Sequence, residues 1–452
     1  MNHPLHDYSQ RSNLHHEVHA RPPIALWPEE RVCSQAFLMS GQQERETQIR
    51  WIDQVLACYP EASRLASSPG YKLIQIAEPP ARLLLRWELH GEFSTLCLFH
   101  QAGTKDDSHD WSTSRHLLLE DFQTLLSNLG HPLPQNAFQN RIAASDLIIR
   151  PGPRVDDAAT LSPLFSGNTL IGSTILGSLN AQVWTDLQLD SNGFVRLLVQ
   201  HQGMGSRQAG RVAQRLIDID TYRMMSMLSL PHAKGLSDPL KRAENELSHW
   251  ANEMAKHQAV QPENESTPHE QLLNGLSSLA SKVEDWISMH GLRFTASEAY
   301  SELVRRALAE LKETPITGVQ TLSEFMDRRF EPAMRTCRWT QRRLRELSDR
   351  VSRTTQILRT RIEFMTERQN QALLASMNRR AQLQLKLQQT VEGLSLVILT
   401  YYSVGLVQYL AKGAKALGYS VPIDIVTAFA VPTIAIGLLL ALRQARKRFA
   451  VD

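Results

Sequence analysis

The chain is poor in the residues and motifs that mark secreted or nucleotide-using proteins. It has four cysteines in 452 residues, Cys33, Cys58, Cys97 and Cys337, with no CxxC pair and no zinc-finger spacing. That usage fits reduced thiols in a reducing compartment and excludes a disulfide framework. The N-terminus, "MNHPLHDYSQRSNLHHE", contains no apolar run, so no cleaved signal peptide is expected. There is no GxxxxGK[ST] phosphate loop, no GxSxG nucleophile elbow and no GxGxxG after a strand. A formal net charge of +3 is too small an excess to predict nucleic-acid binding. Glycine and proline are missing altogether from the 60 residues between Pro332 and Gly393.

That last absence organises the rest. Without a breaker, residues 333–390 are expected to form one long helix, a stalk of roughly 90 Å at about 1.5 Å per residue. Its apolar positions, among them Leu344, Leu347, Val351, Leu358, Ile362, Met365, Leu373, Leu383 and Leu387, follow helical spacing. Thirteen Arg or Lys stand against five Asp or Glu in the breaker-free segment, so much of the basic character lies there.

Two apolar runs follow, 391–410 ("VEGLSLVILTYYSVGLVQYL") and 425–442 ("IVTAFAVPTIAIGLLLAL"). Each is about as long as a ~30 Å hydrocarbon layer requires, and Pro432 and Gly437 are tolerated in a span packed on a neighbour. A buried helical hairpin is the soluble alternative. Arg379, Arg380 and Lys386 precede the first run, and Arg443, Arg446, Lys447 and Arg448 follow the second. The connecting loop holds only Lys412 and Lys415. The positive-inside rule then puts both termini in the cytoplasm, giving a two-span hairpin at 391–442 and a basic cytoplasmic tail at 443–452.

Upstream, residues 1–203 read as one cytoplasmic α/β domain. "YKLIQIAEPPARLLLRWELHGEFSTLCLFH" holds three apolar runs divided by Pro79-Pro80 and Gly91, as a strand meander does. Leu119–Gly130 has helical spacing. Strands are expected at Leu147–Ile149, Thr169–Leu176, Ala181–Leu189 and Phe194–Gln200, the last two joined through an Asn192-Gly193 step. Residues 204–332 read as helical: one helix ends before Pro231, another covers Asp238–Lys256, and a flexible linker lies near 257–270. Thr295 with Glu298, and Thr321 with Glu324, have capping-box spacing and are expected to open helices. The fold class is therefore an α+β head, a long helical stalk and a C-terminal two-helix transmembrane hairpin.

Candidate site residues are few. His15, His16, Glu17 and His19 in "HHEVHARPP" are all metal-ligand types, although a docking arm explains them equally well and no HExxH spacing is present. Ser395, Thr400, Ser403 and Gln408 in the first apolar run would line a pore if several chains assembled, or else hydrogen-bond to neighbouring helices. "HQGMGSRQAGR" opens a helix, where an anion would be stabilised, and also reads as a plain strand-to-helix connection. Cys337 lies among five arginines from Arg335 to Arg345, which would lower its pKa unless it is packed.

"EVHARPP", "AGRVAQRLIDIDTYRM", "MRTC" and "SMNRRAQLQLKLQQTVEGLSLVILTYYSVGL" together resemble a family of uncharacterised bacterial proteins predicted to be membrane-anchored. The resemblance extends over nearly the whole chain and implies an inner-membrane protein, without bringing an activity, a cofactor or catalytic residues. In build the chain also resembles the CorA-type divalent-cation channels, which implies a homo-oligomer with the first spans around an axis. Their Gly-Met-Asn tripeptide has no counterpart, since the corresponding stretch is Val407-Gln408-Tyr409-Leu410-Ala411. Magnesium selectivity therefore does not carry over. The expected function is a non-enzymatic, homo-oligomeric scaffold or ligand sensor in the lipid bilayer, whose partner is a small ligand or a cation. A CorA-like ion-conducting channel and a metal-dependent tethered enzyme are the alternatives.

Overall fold

The structure is a computed structural model that describes residues 8–11, 23–27, 29–68, 70–77, 82–101, 127, 130, 132–177, 181–259, 267–418 and 422–449. The chain divides into two compact units, one of Met1–Asn264 with Asn274–Thr354, the other of Glu265–Leu273 with Thr355–Asp452.

The first unit is built on one mixed sheet. Its strands are β1 (Glu30–Leu38), β2 (Arg64–Ser68), β3 (Tyr71–Ala77), β4 (Arg82–Leu89), β5 (Phe93–Gln101), β6 (Arg141–Pro151), β7 (Ile171–Ile175), β8 (Ala181–Leu189), β9 (Val195–His201) and β10 (Thr314–Pro315), in the order β10-β7-β8-β9-β6-β1-β5-β4-β3-β2. The meander β3-β4-β5 is antiparallel throughout, as the three apolar runs predict. β1 lies centrally, antiparallel to both β5 and β6, and β6 pairs in parallel with β9. Asp190 closes the β8–β9 turn, its Oδ1 accepting from the amides of Asn192 and Phe194 (both 2.9 Å), while Gly193 takes φ +77°.

Side chains alternate across a strand, and here the two faces differ in chemistry. One is apolar: Phe37, Leu85, Trp87, Leu96 and Leu98 pack on Trp51, Ile52, Val55 and Leu56 of helix α1 (Gln42–Ala57). The other carries Ser34, Arg86, Glu88, Thr95, Cys97 and Ser145, all buried. Helix α2 (Ser206–Met227) reaches this polar face through hydrogen bonds from Arg86 to Gln214 and from Ser145 to Asp220. A segment before β1 is held to α2, because the amide of Leu26 donates to the Ser206 carbonyl (3.0 Å).

Helices α3 (Ser229–Ala259), α4 (Thr267–Leu311), α5 (Leu322–Arg329) and α6 (Glu331–Ala416) follow, and α7 (Ile423–Phe449) completes the set. Two expectations change. The helix expected at Asp238–Lys256 begins at Ser229, because Pro231 falls in its first turn, where the missing N–H has no acceptor to lose. Pro239 then sits inside that helix. Thr295 opens no helix: α4 runs through it, and its hydroxyl donates to the Gly291 carbonyl four residues back (3.0 Å). The box at Thr321 and Glu324 does open α5, with both reciprocal bonds present. Most of the expected helix at Leu119–Gly130 and much of the 257–270 linker lie outside the described residues.

The segment without glycine or proline is helical throughout, and α6 continues from it through the first apolar run. In the first unit Leu344, Leu347 and Val351 of α6 are buried, and Arg343 is paired with Glu244 through two bonds. In the second unit Leu373, Leu383, Leu387, Leu394 and Val397 are exposed. Two helices are long and apolar enough to cross a membrane, one containing the first apolar run and the other at Ile423–Gln444.

Gly210 on α2 has no room for a side chain: a Cβ there would stand 1.8 Å from the Ile24 carbonyl oxygen. Gly210→Ala is expected to destabilise the protein by about 1–3 kcal/mol, as overpacking does, measured as a lower thermal unfolding midpoint.

Candidate functional site

Between the polar sheet face and α2 lies a chamber of about 230 Å³. Arg86 and Glu88 come from β4, Thr95 from β5, Ser34 from β1, and Gln214, Asp218, Thr221 and Tyr222 from α2, with His90 and Phe93 at one end. The period-2 alternation of β4 sends Arg86 and Glu88 to this side, and helical spacing places Gln214 and Asp218 one turn apart on α2.

The groups are tied together. Arg86 donates from Nη2 to the Cys97 sulfur (3.2 Å) and from Nη1 to Gln214 Oε1. Its Nε stands 3.6 Å from Glu88 Oε1 and has no hydrogen-bond partner. Glu88 Oε2 accepts from Thr95 (3.5 Å) and stands 3.7 Å from His90 Nε2. The His90 ring stacks on Phe93 at 4.2 Å, and Phe93 meets Tyr222 edge-on at 6.2 Å. Gln214 bridges the chamber by donating to Asp218 Oδ1 at 2.7 Å.

Burial opposes the Arg86 charge, but the Cys97 sulfur and the Glu88 carboxylate outweigh it and hold the guanidinium above its ordinary pKa. Asp218 goes the other way. Burial pushes its carboxyl up to about 6, against the donor from Gln214 and the charge of Arg86. A buried cation, a facing carboxylate with a displaced pKa and a walled cavity are the usual marks of a binding or reacting site.

The residues singled out from sequence lie elsewhere. His15, His16, Glu17 and His19 are outside the described residues. Among the described residues no group of three or more His, Cys, Asp or Glu is placed to hold a metal ion. Ser395 and Gln408 are exposed on α6, with Thr400 and Ser403 half-buried. At about 100° per residue the four spread over roughly 220° of the helix, and the Thr400 hydroxyl is donated to the Leu396 carbonyl (2.7 Å). Cys337 is a packed thiol: burial raises its pKa although Arg338 opposes this, and Ser229 donates to its sulfur at 3.1 Å. The "HQGMGSRQAGR" stretch is a short connection from β9 to α2, with the Met204 amide donating to His201 Nδ1 (3.2 Å).

None of the chamber residues stands out in the sequence. The alternation of "RLLLRWELH" puts Arg86, Glu88 and His90 on one side, and such a side is ordinarily read as facing solvent. The missed signal was its counterpart on α2, where Gln214, Asp218 and Tyr222 recur at four-residue spacing beside apolar positions.

The chain is thus of the class that joins a mixed α/β sheet head to long helices and ends in an apolar helix, with a polar chamber in the head. Residues 6–449 match the family described as "Protein of unknown function (DUF3422)". The chain belongs to that family. Comparison with curated proteins and with solved structures finds no match.

The Asp218 shift has a consequence for stability. A carboxyl whose folded pKa lies above its unfolded value of about 4 destabilises the fold when ionised, fully above about pH 6 and not at all below about pH 4. Asp218→Asn is therefore expected to stabilise the protein at pH 8 by about 1–3 kcal/mol. The difference in unfolding midpoint should shrink as the pH falls from 6 to 4.

Proposed function

We propose that the protein is a non-enzymatic, membrane-anchored ligand sensor whose head binds a small ligand in the chamber under α2. The observation that carries this reading is the chamber itself, a polar cavity closed in by a helix where apolar packing would be more stable. The apolar runs 391–410 and 425–442 form a two-span anchor in the bacterial inner membrane, with both termini cytoplasmic. The flanking charges support this orientation, as do the exposed apolar side chains of both runs, among them Leu394, Leu406, Phe429 and Leu440. Leu396, Thr400 and Tyr401 of α6 line one apolar groove together with Val431 and Ala435 of α7, as expected of two paired spans. Between Thr355 and the first span, exposed Leu373, Leu374, Met377 and Leu383 call for a cover, and a second copy of the helix supplies one in a homo-oligomer. The ion-conducting alternative ranks behind, because Ser395, Thr400, Ser403 and Gln408 do not share one face of α6.

Two measurements test the anchor and the assembly. The full chain should stay in the membrane pellet after alkaline extraction, and a chain ending at Thr390 should move to the soluble fraction. Met377→Cys in a Cys58→Ser background should crosslink between copies with a bis-maleimide. A full chain that leaves the pellet would remove the anchor, and a monomer under crosslinking would remove the oligomer.

A further inference from the structure

One face of the first apolar run is left open by α7. The groove between the two spans is lined on the α6 side by Leu396, Val397, Thr400, Tyr401 and Val404. At about 100° per residue Tyr402 lies about 170° round the helix from the middle of that lining, with Val391, Ser395, Ile398 and Tyr409 within about 40° of it. All five are exposed. The Tyr402 ring meets Tyr401 edge-on at 5.7 Å, and among the described residues its hydroxyl has no hydrogen-bond partner. Tyr402 is the twelfth of the twenty residues in the run 391–410. In a ~30 Å hydrocarbon layer its Cα then lies roughly 13 Å from the nearer surface, farther than a phenol side chain reaches. Lipid tails offer no acceptor there, so the hydroxyl needs a protein partner. The same face continues toward the N-terminus at alternating three- and four-residue steps, through Gln388, Gln384, Ala381, Met377 and Leu374, all exposed. That step pattern is the seven-residue repeat of helices packed side by side.

We propose that two copies of α6 pair in parallel along this face, from Leu374 to Tyr409, with the Tyr402 hydroxyls hydrogen-bonded to each other inside the bilayer. The assignment rests on the anchor and homo-oligomer readings, and adds to them the face, the direction and the polar contact. Matching height selects a second copy as the occupant. Set parallel, it brings identical apolar positions against Leu374, Met377, Val391 and Ile398. It also brings a phenol, which both donates and accepts, to the level of Tyr402. The anchor's topology requires the parallel setting, since every stalk leaves the membrane on the same side. Gly405 lies one turn beyond Tyr402 and about 60° from it round the helix, and a Cβ there would meet nothing within 4 Å. Its bare backbone lets the two helices approach closely near the phenols. The Thr400 side of the run is excluded as the pairing face, because Val431 and Ala435 of α7 occupy it.

The test is cysteine scanning of the full-length protein in its membrane, in a Cys58→Ser background, with copper phenanthroline as oxidant. Ser395→Cys, Ile398→Cys, Tyr402→Cys and Tyr409→Cys should each form disulfide-linked dimers, since the two Cα atoms of a disulfide lie within about 7 Å. Val397→Cys, Thr400→Cys and Val404→Cys should stay uncrosslinked. Tyr402→Phe keeps the ring and removes the hydroxyl, and should weaken pairing roughly three- to tenfold. That change is read as energy transfer between copies labelled at the exposed Cys58 and diluted into lipid vesicles. Crosslinking that is strongest at Val397, Thr400 and Val404, or equal at every position, would overturn the assignment. Pairing as tight in Tyr402→Phe as in the wild type would overturn it as well. Crosslinks at Met377→Cys with none in the span would overturn it and leave the stalk oligomer standing. Crosslinks at neither place would remove the homo-oligomer along with it.

Discussion

A polar sheet face is stable inside a protein only when almost every donor on it meets an acceptor, and this requirement shapes the head. Under α2 the chain buries Arg86, Glu88 and Asp220, charges that would each be unfavourable by several kcal/mol if left alone. Ser145 and Arg223 share the carboxylate of Asp220. Arg86 reaches across to Gln214. Each of these bonds works only over a few tenths of an ångström, so together they fix the height and rotation of α2 above the sheet. The close approach of Ile24 to Gly210, one turn before Gln214, restrains the same helix.

The face under α1 is filled largely by aromatic and aliphatic side chains, crossed by the Trp87 Nε1 bond to Gln48 (3.2 Å), and the same face buries the Arg31–Asp146 pair. Such a face contributes most of the free energy of folding. The α2 face contributes less and specifies more. Replacing paired buried charges by apolar groups is often stabilising, so Arg86, Glu88 and Asp218 line a cavity where an apolar filling would give a more stable head.

Much of the architecture could be read from local signals. The meander at Tyr71–Gln101, the turn at Asn192-Gly193, the box at Thr321 and Glu324, and the uninterrupted helix beyond Pro332 each rest on a rule that acts within a few residues. The failures have the same local origin. Pro231 reads as the close of one helix, yet it occupies the first turn of α3, which begins well before Asp238. Thr295 has the spacing of a cap, but its hydroxyl bonds backward to Gly291 because the helix is already running. The chamber was not legible for a different reason. Polar alternation on β4 is the same whether the far side meets water or a helix, and only the partner helix, more than a hundred residues away, decides which.

The sheet's outer edge carries a consequence for synthesis. Among the described residues β7 is bounded on its free side by β10, two residues at Thr314–Pro315, aided by a bridge from Gln320 to Ile171. Strands β1 to β9 are all translated before α3 and α4, so while those helices are being made β7 presents an unpaired edge to other nascent chains. The hazard ends when residues 314–320 leave the ribosome, well before the apolar run that starts at Val391 is made. A message truncated between those helices and Thr314 would release a head with that edge open, whereas one truncated after Gln320 would release a head whose sheet is closed.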